Sequence, residues 1–320
     1  MRAIFYQHHG GADVLELGEL DRPVPGPGQV LVKVAAAGVN PIDRRLRAGE
    51  LTEYISRTFP VVPGWDFAGE IVELGPGVSG AWGVGDRVMG LAFTWAIQHG
   101  TYGEYVPVDA TAIASVPDGI DDYHAAALPL VSLTAWQSLK EYGELSAGQS
   151  ALIQAGSGGV GSVAIAMAKH LGATVYTTCS EANVDYVAER GADVVIDYTR
   201  QDYVAELKEQ EPDGVDLVLE TLLGEGVAER AIGLVRDGGT VVFMNNEPPN
   251  VAEIEARGIR TQFLHHRADG AMLAELAGLY GEGILPLPPV EVLPLAAARE
   301  AHQRSESGRT RGKLVLAIVE

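Results

Sequence analysis

The pattern of apolar and polar positions changes character twice along the chain. Through the first third, short apolar runs alternate with Gly- and Pro-rich turns: "VLVKVAAAGV", "FAGEIVELG", "GVGDRVMGL" and "GEYVPVD", the first preceded by "PVPGPGQ". Closely spaced short strands with such turns predict a compact, barrel-like antiparallel domain. Near Asp121 the pattern turns helical in "DDYHAAALPLVSLTAWQSLKEYG", where Asp121 or Asp122 can cap the start and Gly143 the end. Strand and helix then alternate. "SALIQAG" reads as a strand, "GVGSVAIAMAKHLG" as a helix, "TVYTTCS" as a strand and "EANVDYVAERG" as a helix, with "DVVIDY", "DLVLET" and "GTVVFMN" as further strands. This alternation predicts βαβ units and a parallel sheet covered on both faces. Beyond about Arg260 come a helix, a Pro-rich link "ILPLPPVEVLP", a second helix and a closing strand "KLVLAIV", expected to return to the first domain. The fold class is α/β: a β-rich domain plus a doubly wound parallel-sheet domain.

Glycines crowd the junction of the first strand and helix of the alternating region, "LIQAGSGGVGSVAIAMAKHLG". Gly156, Gly158 and Gly161 have the G-x-G-x-x-G spacing, after a strand and into a helix, the context in which that spacing signals a dinucleotide. Gly156 permits the tight turn, Gly158 lets backbone approach a pyrophosphate, and Gly161 lets helix and strand pack closely. The candidate cradle is therefore Gly156, Ser157, Gly158, Gly159, Val160 and Gly161, backed by the free N–H groups of the helix start.

The next strand speaks to which dinucleotide. A carboxylate at its end would grip the ribose hydroxyls of NAD and repel a 2′-phosphate. Here the strand ends Thr178-Cys179-Ser180, rich in hydroxyls and uncharged, although Glu181 follows. If Glu181 points away, as a first-turn residue, then Ser180, Asn183 and Tyr198 are candidates to hydrogen-bond a 2′-phosphate, and the coenzyme is NADPH. No obvious Arg or Lys follows the strand.

Composition narrows the classes. The chain has 320 residues and is 47% hydrophobic and 21% charged, enough for two globular domains. Its net charge of −20 excludes nucleic acid as a partner, since phosphates would be repelled. No apolar stretch approaches the roughly 20 residues of a membrane span, and the start of the chain lacks the apolar core of a signal peptide, so the expected location is the cytoplasm. The single cysteine, Cys179, excludes an internal disulfide and reads as a small buried hydrophobe.

Taken in order, "GVNPIDRRLRAG", "PVVPGWDFAGEIVELGPGV", "GDRVMGL", "TYGEYVPVD", "AAALPLVSLTAWQSL", "AGSGGVGSVAIAMAKHLGA" and "SGRTRGKLVL" resemble the zinc-independent quinone oxidoreductases of the medium-chain dehydrogenase/reductase superfamily. The resemblance runs from Met1 to the end. It implies a GroES-like catalytic domain over 1–123 and 262–320, a Rossmann NADP-binding domain over 124–261, and a cleft between them. It implies hydride transfer from NADPH to a quinone or to the C=C bond of an α,β-unsaturated carbonyl. The alternatives are a specialised enoyl reductase of a biosynthetic pathway and a catalytically silent NADPH-binding protein. Zinc-dependent relatives carry a Cys in the place of Asn40 and a His-Glu pair in the place of Trp65-Asp66. A catalytic zinc needs about three N, S or O ligands, and Asp43 with Asp66 cannot supply that set, so no metal is expected.

What remains is to polarise the substrate oxygen as hydride arrives. Asn40 is the first candidate, through its side-chain amide; the same residue could instead form an Asx turn before Pro41. Tyr54 is the second, as donor or proton source, or else an amphipathic surface tyrosine. Asp43 is expected to orient Arg44 or Arg47. Asn245 and Asn246 either touch the nicotinamide carboxamide or cap their strand. Phe93, Trp95 and Tyr102 form either an aromatic wall for a planar substrate or a core beneath a loop. Members of the family pair through the Rossmann domain, and "GTVVFMNN" reads as an apolar edge strand, so a homodimer is expected.

Overall fold

The computed structural model describes residues 1–265 and 267–318. The chain divides into two compact units. The first comprises Met1–Leu133, Arg267–Gly283 and Leu287–Glu320; the second comprises Thr134–His266 and Ile284–Pro286.

The first unit is organised by the strand Gln29–Val39, whose run of Val, Leu and Ala is buried over most of its length. Across its sheet the strands lie in the order Val290–Pro294, Lys313–Ala317, Gln29–Val39, Asp66–Leu74, Arg87–Leu91 and Ile113–Ser115. Tyr105–Asp109 adds a further pairing to Gln29–Val39. All pairs are antiparallel except the outermost, Val290–Pro294 with Lys313–Ala317. The closing strand therefore does return, setting Leu314 opposite Val39, and part of the Pro-rich link is itself a strand. Asp121 caps the helix Asp122–Ala127, accepting the His124 N–H at 2.8 Å. That helix lies close over the sheet: a Cβ on Gly38 would come within 2.5 Å of the Ala126 carbonyl oxygen. This packing keeps it with the first unit, past the expected change at residue 123. Pro129, lacking an N–H, opens a separate helix, Pro129–Trp136.

The second unit is an all-parallel six-stranded sheet: Val194–Asp197, Thr174–Cys179, Ser150–Ile153, Val215–Glu220, Val235–Phe243 and Arg260–Phe263. Taken in chain order, its strands lie 3-2-1-4-5-6, the dinucleotide-binding arrangement, with the switch point between Ser150–Ile153 and Val215–Glu220. Leu152, Val218, Val241 and Phe243 are among the residues of its core on one face. The expectation that "GTVVFMNN" forms an edge is overturned. Val235–Phe243 is paired on both sides, and its last five residues are buried, which is why that stretch is apolar without alternation. The edge on that side is Arg260–Phe263, which carries the second unit past residue 261; Val194–Asp197 is the opposite edge.

Candidate functional site

In the second unit the glycine loop joins the strand Ser150–Ile153 to the helix Gly159–His170, with Gly158 as the helix cap. Its three spaced glycines differ in what surrounds them. A Cβ on Gly156 would lie 2.1 Å from Thr177 Oγ1, and one on Gly161 would lie 2.3 Å from the Ala155 carbonyl oxygen. Both positions are closed by the protein's own packing. A Cβ on Gly158 would meet only the Ala155 oxygen, at 3.4 Å, an ordinary contact. Gly158 thus leaves open the space a side chain would fill, as close approach of a pyrophosphate requires. The Gly156 N–H is bonded to the Thr178 carbonyl at 2.9 Å, and Thr178 Oγ1 accepts the Ala155 N–H at 3.2 Å, so the second strand fixes the loop. Ser157, Gly159 and Val160 are half-buried at the helix start. At the sheet's C-terminal edge Gln154 is fully buried and its amide has no partner among the described residues.

Ser180 follows the second strand directly, and Asn183 donates to its hydroxyl at 3.1 Å. Tyr198 follows the third strand, and its N–H bonds the Cys179 carbonyl at 3.1 Å. The Tyr198 side chain is exposed. Cys179 is buried, and burial pushes its thiol up to about 11, in keeping with a packing role. Glu181 opens a short 3-10 turn and pairs with Arg200 at 2.6 Å. Sequence reasoning missed that arginine, because it arrives from beyond the third strand rather than after the second. Asn245 and Asn246 donate their amide N–H groups to the Thr221 and Leu222 carbonyls, at 2.7 and 2.9 Å. They fasten the loop after the fourth strand. Glu220, at that strand's end, is fully buried, and burial pushes its carboxyl up.

In the first unit Asn40 caps the helix Pro41–Ala48 in extended conformation, with Pro41 at the first helical position. Its side chain is fully engaged inside the protein. Nδ2 donates to Asp66 Oδ2 at 2.8 Å, Oδ1 accepts from Lys313 Nζ at 2.5 Å, and the residue is 1% exposed. This corrects the expectation that the amide reaches a substrate oxygen: it faces inward, because a lysine from the closing strand lies in reach of it. Lys313 Nζ also bonds the Val39 carbonyl at 3.2 Å and Asp66 Oδ2 at 3.3 Å, and Asp66 Oδ1 accepts the Leu130 N–H at 2.7 Å. Burial pushes the Asp66 carboxyl up, and Lys313 opposes that rise.

Asp43 does not orient Arg44 or Arg47. Its Oδ2 accepts the Asn40 N–H at 2.8 Å and the Tyr102 hydroxyl at 3.0 Å, and burial pushes it up to about 7. Tyr102 is therefore a core residue and no part of an aromatic wall. Phe93 and Trp95 instead continue edge-to-face from Trp65, with ring centroids 4.9 and 4.8 Å apart. Arg47 donates to His302 Nδ1 at 2.9 Å and to Glu306 at 2.6 Å. Burial, with the Arg47 charge, holds His302 down to about 3. Tyr54 lies in the turn after the helix and is 69% exposed. Among the described residues no group of three or more His, Cys, Asp and Glu could hold a metal ion, and no helix is long and apolar enough to cross a membrane.

Residues 26–118 match the alcohol dehydrogenase GroES-like domain, and residues 190–316 match the zinc-binding dehydrogenase family. The chain is 34% identical to 2-methylene-furan-3-one reductase of Solanum lycopersicum, over 99% of this chain and 79% of that one. It is 32% identical to the quinone oxidoreductase structure from Coxiella burnetii, with a TM-score of 0.88 over 100% of this chain and 99% of that one. The chain belongs to the quinone oxidoreductases of the medium-chain dehydrogenase/reductase superfamily. A mycobacterial structure complexed with NADPH is 30% identical, with a TM-score of 0.88 over 99% of both chains. The first unit is the GroES-like domain of this family and the second its Rossmann domain. The motifs that carry the quinone oxidoreductase pattern lie in both units. Lys313 lies within "SGRTRGKLVL", yet its tie to Asn40 has no local signal.

Proposed function

We propose that the chain transfers a hydride from NADPH to a quinone or to the C=C bond of an α,β-unsaturated carbonyl. The observation that carries this reading is the glycine loop: its outer two spaced glycines are closed by the protein's own packing, while Gly158 is left open at the start of a 12-residue helix. When bound, NADPH supplies the hydride. Ser157, Gly159, Val160 and Gly161 hold the pyrophosphate through backbone N–H groups at the helix start, while Gly156 and Gly158, whose N–H groups bond the Thr178 and Ala155 carbonyls, shape the loop around it. Ser180, Asn183 and Tyr198 take the 2′-phosphate, and Asn245 steadies the loop that follows Glu220. The exposed Tyr54 hydroxyl is the donor toward the substrate oxygen, where negative charge develops. The substrate class and coenzyme find support in the names of the tomato reductase and the Coxiella oxidoreductase and in the mycobacterial NADPH complex.

The protein acts in the cytoplasm, a reading supported by its lone buried thiol. It acts as a homodimer, paired through the Rossmann sheet edge Arg260–Phe263. The test is NADPH consumption across a panel of quinones, enones and enals. Turnover with at least one acceptor is expected, and no consumption with any of them would overturn the reading.

A further inference from the structure

We propose that Arg200 is the residue by which this chain selects NADPH over NADH, and that Glu181 is its built-in competitor. The inference rests on the NADPH reading above. The second and third strands are in register at Cys179 and Asp197, so the residues that follow each strand are neighbours. The second strand contributes Ser180 and Glu181. The third contributes Tyr198 and Arg200. Hydroxyls and a guanidinium thus converge where the ribose-binding carboxylate of an NAD enzyme would stand.

Arg200 Nη2 lies 2.6 Å from Glu181 Oε1, while its Nε lies 3.9 Å from Asp197 Oδ2. Asp197 is itself fixed, accepting the Thr199 N–H at 2.9 Å and the Thr199 hydroxyl at 2.6 Å. The Arg200 and Glu181 side chains are 67% and 61% exposed. An ion pair this open is weak, because water competes for both partners. It holds the guanidinium at the strand ends without locking it there. A phosphate carries more charge than a carboxylate and offers three acceptor oxygens to the same planar fork. It can therefore take Arg200 from Glu181. Without a ligand the three groups sum to one negative charge, so Glu181 opposes the 2′-phosphate both by occupying Arg200 and by repelling the anion.

The two residues thus have opposite effects, and paired variants separate them. Dissociation constants for NADPH and NADH are measured by nicotinamide fluorescence on the wild type, Arg200→Gln and Glu181→Gln. Arg200→Gln weakens NADPH by roughly 10- to 100-fold, the range of a lost charge-assisted hydrogen bond, and leaves NADH within about twofold. Glu181→Gln tightens NADPH by roughly 3- to 10-fold and leaves NADH within about twofold, since one opposing charge is removed. Both side chains are on the surface, so melting temperatures should stay near wild type. A wild-type NADPH affinity that Arg200→Gln leaves intact would overturn the assignment alone. Loss of NADH affinity in Glu181→Gln would overturn it too, because Glu181 would then be holding the ribose. A wild type that binds no NADPH would overturn the coenzyme reading itself.

Discussion

Asp43 makes a pH dependence that one atom exchange should erase. Its carboxyl is fully buried, and burial raises it from 3.8 to about 7, against the pull of the Asn40 N–H and the Tyr102 hydroxyl. In the unfolded chain the proton leaves near the ordinary carboxylate value, while the folded chain keeps it until the pH nears 7. The folded state therefore binds more protons across that window, and stability falls as pH rises through it, levelling off above. The sequence pI of about 4.7 favours working above that value. Each tenfold difference in proton affinity between the two states is worth about 1.4 kcal/mol, so the span from about pH 5.5 to about pH 8.5 holds roughly 2 kcal/mol of this loss. Asp43→Asn keeps an oxygen for both donors and has nothing to ionise. Urea unfolding of both proteins across the span should show the variant gaining roughly 2 kcal/mol on the wild type. His302, held down to about 3, works the other way: the unfolded chain takes up a proton below its ordinary 6.5 and the folded chain does not, so stability is lost as pH falls. That contribution is common to both proteins and subtracts out. A difference that stays constant with pH, or shrinks, would refute the buried-acid argument.

Gly158→Ala should keep the wild-type melting temperature and lose roughly tenfold in NADPH affinity, about 1.4 kcal/mol. Gly161→Ala, whose Cβ would crowd the Ala155 oxygen, should instead lose about 1–3 kcal/mol of stability, and equal melting of the two variants would sink the distinction. Asn40→Ala removes one hydrogen-bond partner from each of Lys313 and Asp66, which keep each other, and should cost about 1–3 kcal/mol of stability, with kcat near wild type well below melting. Unchanged stability with a collapsed kcat would restore a catalytic Asn40. Light scattering should report twice the 33.8 kDa chain mass, and a monomer value would rule out the homodimer.

The parts of this molecule that local backbone chemistry decides are readable before folding. The glycine spacing, the Asp121 cap and the alternation of strand with helix each depend on a few adjacent residues. What escapes depends on residues far away in the chain. Asn40 stands out in the sequence, but its amide turns inward because Lys313, 273 positions later, reaches it. Tyr102 resembles its aromatic neighbours in sequence and is set apart from them by distant partners, Asp43 at its hydroxyl and His302 against its ring. The edge of the parallel sheet, "RTQF", is too short and polar to announce a strand, whereas the run that reads as an edge is apolar because both its sides are covered. Arg200 is hidden because it follows the third strand, while a phosphate ligand is looked for after the second.

The tie between Asn40 and Lys313 also sets an order of events at the ribosome. The first unit is built from both ends of the chain, with the second unit inserted between Leu133 and Arg267. As synthesis proceeds, the inserted sheet has all six of its strands by Phe263, while the GroES-like unit still lacks the closing strand Lys313–Ala317. At about 5–20 residues per second, the roughly 180 positions from Leu133 to Lys313 take on the order of 10–40 s to translate. For that interval Asp66 and Asn40 have no cation to close around, and the flank of the strand Gln29–Val39 that Lys313–Ala317 will cover stands unpaired. Once Phe263 has been made, the nascent chain holds a complete Rossmann sheet and a GroES-like sheet that is still open.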